Sequence, residues 1–142
     1  MQKKCQRIAA VGATTAAIFI ATSTVNAHAL GSKGRAECNV NGVDAYGHFS
    51  NWQHDKAKMD LVTYDTRKDG YDVAIRFISK VDYDSKIRYW SWHYARKGYN
   101  TKTVVKTSAS TGKSGLSFIG IQAAIVDGKR IVKSCKDWAQ GF

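Results

Sequence analysis

A carboxylate and an imidazole held beside a guanidinium can cleave a phosphodiester, one group taking a proton and the other giving one while the cation holds the phosphate. The residue types for this are present: Glu37, the only glutamate in the chain, with His48, His54 and His93, and with Arg76 and Arg88 as phosphate holders. Their spacing does not assemble them. Glu37 adjoins Cys38 near the start of the folded region, and His93 falls between large aromatics, so each histidine reads first as a satisfied or solvent-facing side chain. Other chemistries fare no better. Gly-x-Ser-x-Gly and His-Glu-x-x-His are missing, and Gly112-Lys113-Ser114 lacks the first glycine of a phosphate loop, whose place Thr107 takes. Asp82 and Asp84, like Asp65, Asp69 and Asp72, lack the further oxygen ligands of a calcium loop and read as turn formers. The expectation is therefore no catalytic residue, no metal and no cofactor.

The densest functional signal is aromatic. Tyr83, Tyr89, Trp90, Trp92, His93, Tyr94 and Tyr99 crowd into one segment and its flanks. Strand periodicity over Lys86 to Tyr94 puts Arg88, Trp90, Trp92 and Tyr94 on one face and Ile87, Tyr89, Ser91 and His93 on the other. A flat array of Trp and Tyr with an Arg stacks on sugar rings or bases and anchors protein interfaces. The same rings are also what a small sandwich buries as core. Arg88, Trp90, Trp92 and Tyr94 are the candidate ligand-binding residues, and the sequence leaves core and platform both open.

The elements that would position them are strands. From about Met59 onward the chain is rich in Val, Ile, Tyr, Thr and Trp and breaks at Gly and Asp at short intervals. Strands are expected over Lys58 to Asp65, Tyr71 to Ser79, Lys86 to Tyr94, Thr101 to Thr107, Ser117 to Val126 and Arg130 to Cys135. Hairpins are expected to turn at Asp69-Gly70 and at Asp127-Gly128, where glycine takes positive φ without steric cost. Ser108 to Gly115 reads as a loop, and Gly47 to Ala57 as irregular with room for a helical turn. Six or seven short strands make an all-β domain, a small antiparallel β-sandwich or barrel.

The first 29 residues read as an address. Met1 to Arg7 carries Lys3, Lys4 and Arg7; an uncharged run from Ile8 to Val25 follows, with small-residue cleavage sites ending at Ala27 and Ala29. That is the layout of a cleaved secretory signal peptide, leaving residues 30–142 as one domain with no stable membrane insertion. Cys5 leaves with the signal. Cys38 and Cys135 remain, an even pair in an exported chain, and so are expected to form one disulfide. Closing so long a loop constrains the unfolded state by about 4 to 5 kcal/mol in the chain-entropy picture. The full chain carries 22 Lys and Arg against 11 Asp and Glu; without the signal it keeps 19 against 11, or +8. A basic exported domain can meet an anionic cell-surface polymer, lipid head groups, extracellular nucleic acid or an acidic partner protein, and charge alone does not choose among them; with no polybasic block the dispersed charge reads first as a solvated surface.

The segment Asp65-Thr66-Arg67-Lys68-Asp69-Gly70-Tyr71-Asp72-Val73 resembles the D-T-x-x-D-G-x-x-V stretch of small secreted β-proteins of actinobacteria. Those proteins also tend to end in a hydrophobic strand, a short turn and C-x-x-W, matched here by Cys135-Lys136-Asp137-Trp138. The resemblance implies the fold, export and the Cys38 to Cys135 bond, and no activity. The function expected from the sequence is a secreted, non-enzymatic binding or interaction domain, a protein adaptor or inhibitor or a cell-wall glycan binder. The alternative is a small secreted enzymatic effector, a nuclease.

Overall fold

The computed structural model describes residues 32–141, so the expected leader and its cleavage sites lie outside the described residues. Ten strands follow one another: β1 (Ser32–Val40), β2 (Val43–Trp52), β3 (Lys56–Asp65), β4 (Asp72–Lys80), β5 (Arg88–Tyr89), β6 (His93–Ala95), β7 (Lys102–Ser110), β8 (Phe118–Asp127), β9 (Arg130–Trp138) and β10 (Gln140–Gly141). All pairings are antiparallel. The first sheet has the order β10-β1-β2-β3-β7 and the second β5-β4-β8-β9, with β6 also on β4. The two lie face to face as a sandwich.

Alternation explains which side of each strand is buried. In β2, Val43, Ala45, Gly47 and Phe49 are buried while Asp44, His48 and Ser50 face solvent. β3 continues the core with Ala57, Met59 and Leu61, and the second sheet answers with Val73, Ile75 and Phe77 from β4 and Ile119, Ile121, Ala123 and Ile125 from β8. Each large aliphatic side chain in this layer contributes about 1.5 to 3 kcal/mol by leaving water.

One flank of the sandwich is stapled. Cys38 of β1 and Cys135 of β9 are disulfide-bonded across the sheets, with 5.8 Å between their Cα atoms. Two residues further, the Glu37 amide donates to Asp137 Oδ2 at 2.7 Å. One residue after β9 the chain changes sheets and pairs with β1 as β10, so the same flank is also closed by backbone. Among the described residues the opposite flank, where β7 faces the short strands β5 and β6, carries no such link between the sheets.

Several expectations are corrected. Asp69-Gly70 does form a turn, with Gly70 at φ +79°, but it does not make a hairpin. β3 belongs to the first sheet and β4 to the second, so the turn is a crossover between layers. Gly47 to Ala57 is regular: β2 runs through Trp52, three residues turn, and β3 begins at Lys56. Ser108 to Ser110 belongs to β7, whose pairing with β3 extends to Lys56 opposite Ser110; only Gly112–Ser114 forms a short 3₁₀ turn. The connection from β7 to β8, a second crossover between the sheets, is tied to the β2–β3 hairpin, since Trp52 Nε1 donates to the Leu116 carbonyl at 2.7 Å and the Leu116 amide donates to the His54 carbonyl. The β8–β9 hairpin turns as expected, with Asp127 paired to Arg130 and Gly128 at φ +60°.

Lys86 to Tyr94 is the correction that matters for function, because it is not one strand. Tyr89 pairs with Ile78, and His93 pairs with Ile75. Three residues, Trp90, Ser91 and Trp92, therefore stand against two on β4, Phe77 and Arg76. This is a β-bulge, and one extra residue reverses which side chains point in and which point out.

Candidate binding face

The bulge divides the predicted platform. Trp90 points inward: it packs on Phe77 with 5.4 Å between ring centres, and its Nε1 donates to Ser79 Oγ at 3.1 Å. Arg88, in register with Ser79, lies on the same side, with its guanidinium 5.5 Å from the centre of the Trp90 ring. Trp92 and Tyr94 point the other way, Trp92 packing on Ala74, Ala124 and Val126 on the outward face of the second sheet. The four candidates do not share a face. Arg88 and Trp90 belong to the inner side, and Trp92 and Tyr94 to the outer one.

What the outward face gains is Tyr89. The Arg76 guanidinium lies between two rings, 4.1 Å from the centre of Tyr89 and 4.3 Å from that of Trp92. Its Nε and one Nη both donate to Gln122 Oε1, at 2.9 and 2.7 Å, and Gln122 Nε2 donates onward to Ser134 Oγ at 3.1 Å. Strand register dictates this row, because Arg76, Gln122 and Lys136 are directly opposite one another on β4, β8 and β9. Lys136 Nζ donates to the Tyr89 hydroxyl at 2.7 Å. Each cation–π contact of this partly desolvated kind contributes about 0.5 to 2 kcal/mol. Burial lowers the Arg76 pKa from its usual value, with the Tyr89 and Tyr94 phenols acting in the opposite sense. A guanidinium so far above neutrality keeps its charge.

A second cation extends the pattern. Lys80 Nζ lies 5.8 Å from the ring centre of Tyr83 and 5.7 Å from that of Trp138, and Tyr83 meets Phe118 edge-on. At the other end Arg96 lies 5.4 Å from the Tyr94 ring and 3.9 Å from Asp72. Gly120 sits between Ile78 and Trp138 in register, and a Cβ there would strike the backbone carbonyl of Asp137, so this spot must be glycine. The outward strand positions 74–80 of β4, 118–126 of β8 and 134–138 of β9 carry no Asp or Glu, because Asp137 points inward.

The sequence named Arg76 only as a phosphate holder and Tyr89 only among the clustered aromatics, and it did not single out Lys80 or Lys136. The signal available for Arg76 was a lone arginine inside the apolar run Val73-Ala74-Ile75-Arg76-Phe77-Ile78. Tyr89 was assigned to the wrong side by the undetected bulge.

Of the acid and base candidates, Glu37 and His48 are diagonal neighbours on adjacent strands, Glu37 opposite Tyr46 and Arg35 opposite His48, while His54 and His93 lie elsewhere. Glu37 and His48 both face outward from the first sheet, where Glu37 is 55% exposed and 3.5 Å from Arg35. His48 packs edge-on to Tyr46. His54 lies in the β2–β3 turn beside Gly115, and His93 lines a cleft at the other flank. Among the described residues no hydrogen bond joins Glu37 to a histidine, and the cleft that His93 lines contains none of Glu37, His48 and His54. Comparison with protein-family models, with curated proteins and with solved structures finds no match to this chain.

Proposed function

We propose that this protein is a secreted, non-enzymatic binding domain that holds an anionic cell-surface polymer against the outward face of its second sheet. The observation that carries the reading is Arg76 fixed between Tyr89 and Trp92, with Lys80 and Lys136 beside it on strand positions free of carboxylates. Cations held by stacked rings and hydrogen bonds lose little freedom when a ligand arrives, so less of the interaction is spent on ordering. Exposed rings next to them, Tyr89 and Tyr94, offer flat surface to the sugar units of such a polymer. The basic n-region, apolar run and cleavage sites of the first 29 residues support export, as does the disulfide of the folded part.

The test is co-sedimentation of the secreted protein with cell walls, before and after chemical removal of their anionic polymer. Binding should fall with salt, fall on stripped walls, and weaken at least tenfold in Lys136→Gln or Trp92→Ala. Binding that survives stripping overturns the reading in favour of a protein or neutral-glycan partner. RNA hydrolysis abolished by Glu37→Gln would overturn it in favour of the nuclease.

A further inference from the structure

The unstapled flank of the sandwich opens into a cleft of about 280 Å³ between β7 and the bulged segment of the second sheet. We infer that this cleft is a second binding site, distinct from the cationic face, and that it takes one neutral sugar ring. Its floor is apolar, made by Met59, Phe77 and Ala109, each at most 4% exposed. Trp90 forms a wall, its tilt fixed by Phe77 on one side and by the hydrogen bond from its indole N–H to Ser79. The rim is polar: the hydroxyls of Ser91 and Thr107 and the imidazole of His93, with the backbone of Ser108 beside them. None of these three side chains takes part in the side-chain hydrogen bonds of the described residues.

Charge identifies the ligand class. In a chain with 22 Lys and Arg, the cleft lining contains no Lys, Arg, Asp or Glu, so nothing in it recognises an ion. A purely apolar ligand would leave two hydroxyls and an imidazole desolvated at the mouth, at a cost for each group that is not paired. A pyranose ring meets both demands. Its C–H face lies against indole and apolar floor, and its hydroxyls reach Ser, Thr and His donors and acceptors. The volume suits one ring, being just below the range of about 300 to 1,000 Å³ typical of pockets for larger ligands.

The bulge builds the site. Without the extra residue, Trp90 and His93 would fall on opposite sides of the segment, since they are three residues apart; with it both face the cleft. The inference therefore stands on different side chains from the polymer-binding face, and the two can fail separately.

The experiment titrates the isotope-labelled secreted protein with methyl β-D-glucoside, methyl N-acetyl-β-D-glucosaminide and sodium octanoate, following the Trp90 indole and His93 resonances. One or both glycosides should shift these signals saturably while octanoate does not. Thr107→Phe, which fills the cleft, should abolish the response, and His93→Ala should weaken it at least fivefold. Trp92→Ala should leave it unchanged, and Thr107→Phe should leave wall sedimentation unchanged. Because Trp90 is also a packing residue, it is not used as the diagnostic variant. Saturable shifts with octanoate alone, no shift with either glycoside, or a glycoside response that persists in a folded Thr107→Phe protein would each overturn the inference.

Discussion

Trp92 stands opposite Arg76 with its ring 4.3 Å from the guanidinium, while Trp90, two residues earlier in the same segment, lies on the other side of the sheet against Phe77. Two tryptophans that strand periodicity puts together are thus separated by one bulged residue. Their substitutions should behave differently. Trp90→Ala empties a core site and is predicted to cost about 3 to 5 kcal/mol of stability. Trp92→Ala removes a half-buried ring from the outer face and should cost about 1 to 2 kcal/mol, with a tenfold or greater loss of wall binding. Denaturant unfolding beside sedimentation measures both, and equal destabilisation by the two would contradict the assignment of faces.

The Arg76–Gln122 pair makes a second prediction. Arg76→Leu leaves Gln122 Oε1 without its two donors and removes the cation from between the rings, which should destabilise the fold by about 1 to 3 kcal/mol. The double variant Arg76→Leu with Gln122→Leu should recover part of that loss, because no unpaired amide oxygen is left on the face. Recovery of stability without recovery of polymer binding would separate the structural role of Arg76 from its role toward the ligand. A double variant no more stable than Arg76→Leu alone would count against the pairing.

Removing the flank staple should be costly. Replacing Cys38 and Cys135 together by Ser is predicted to lower stability by about 2 to 5 kcal/mol, since the bond spans 97 residues of sequence. Calorimetry of the purified domain checks the size of the effect, and thiol labelling of the unreduced protein should find no free thiol at either position.

Thr103 offers the opposite sign. Its Oγ1 is buried between the sheets with no hydrogen-bond partner in the described residues, beside the fully buried Thr63 with which it is in register. Thr103→Val keeps the shape and removes the unsatisfied hydroxyl, so it should be neutral or stabilise by up to about 1 kcal/mol. A loss of more than that in denaturant unfolding would show that the hydroxyl does have a partner.

On the first sheet the Lys102 ammonium, and after it the Tyr46 hydroxyl, lower the pKa of Tyr64 below its ordinary value of 10.0, and Tyr64 in turn raises that of Lys102. Between the lowered value and 10.0 the unfolded chain holds the Tyr64 proton more often than the folded one, so this pair adds stability as pH rises through that window. The Lys102 contribution is present below its ordinary pKa of 10.5 and is lost as pH rises through the raised value. Phenolate absorbance should show one tyrosine ionising early, and Lys102→Met should return it to the ordinary range.

The sequence by itself determined β3, β4, β7, β8 and β9 to within a few residues, the Cys38–Cys135 pairing and the Asp127-Gly128 hairpin, while β1 and β2 were not read as strands. These rest on local physics: alternation over five to ten residues, the freedom of Gly128 at positive φ, and the only two cysteines among the described residues. Asp69-Gly70 was legible as a turn for the same reason. Whether such a turn joins paired strands or crosses between layers depends on partners far away in the chain, and only the packed sheets decided that β3 and β4 part company there. The outward aromatic and cationic face was decided in the same way. Trp92 and Tyr94 were legible as aromatic, but nothing local announces that Trp90, Ser91 and Trp92 must share the space of Phe77 and Arg76. That count is set by the hydrogen-bond register with β4 on both sides of the bulge, and a register is a property of two strands together. With it came the inward turn of Trp90, the cleft it lines, and the alignment of Tyr89, Arg76 and Trp92 on one surface.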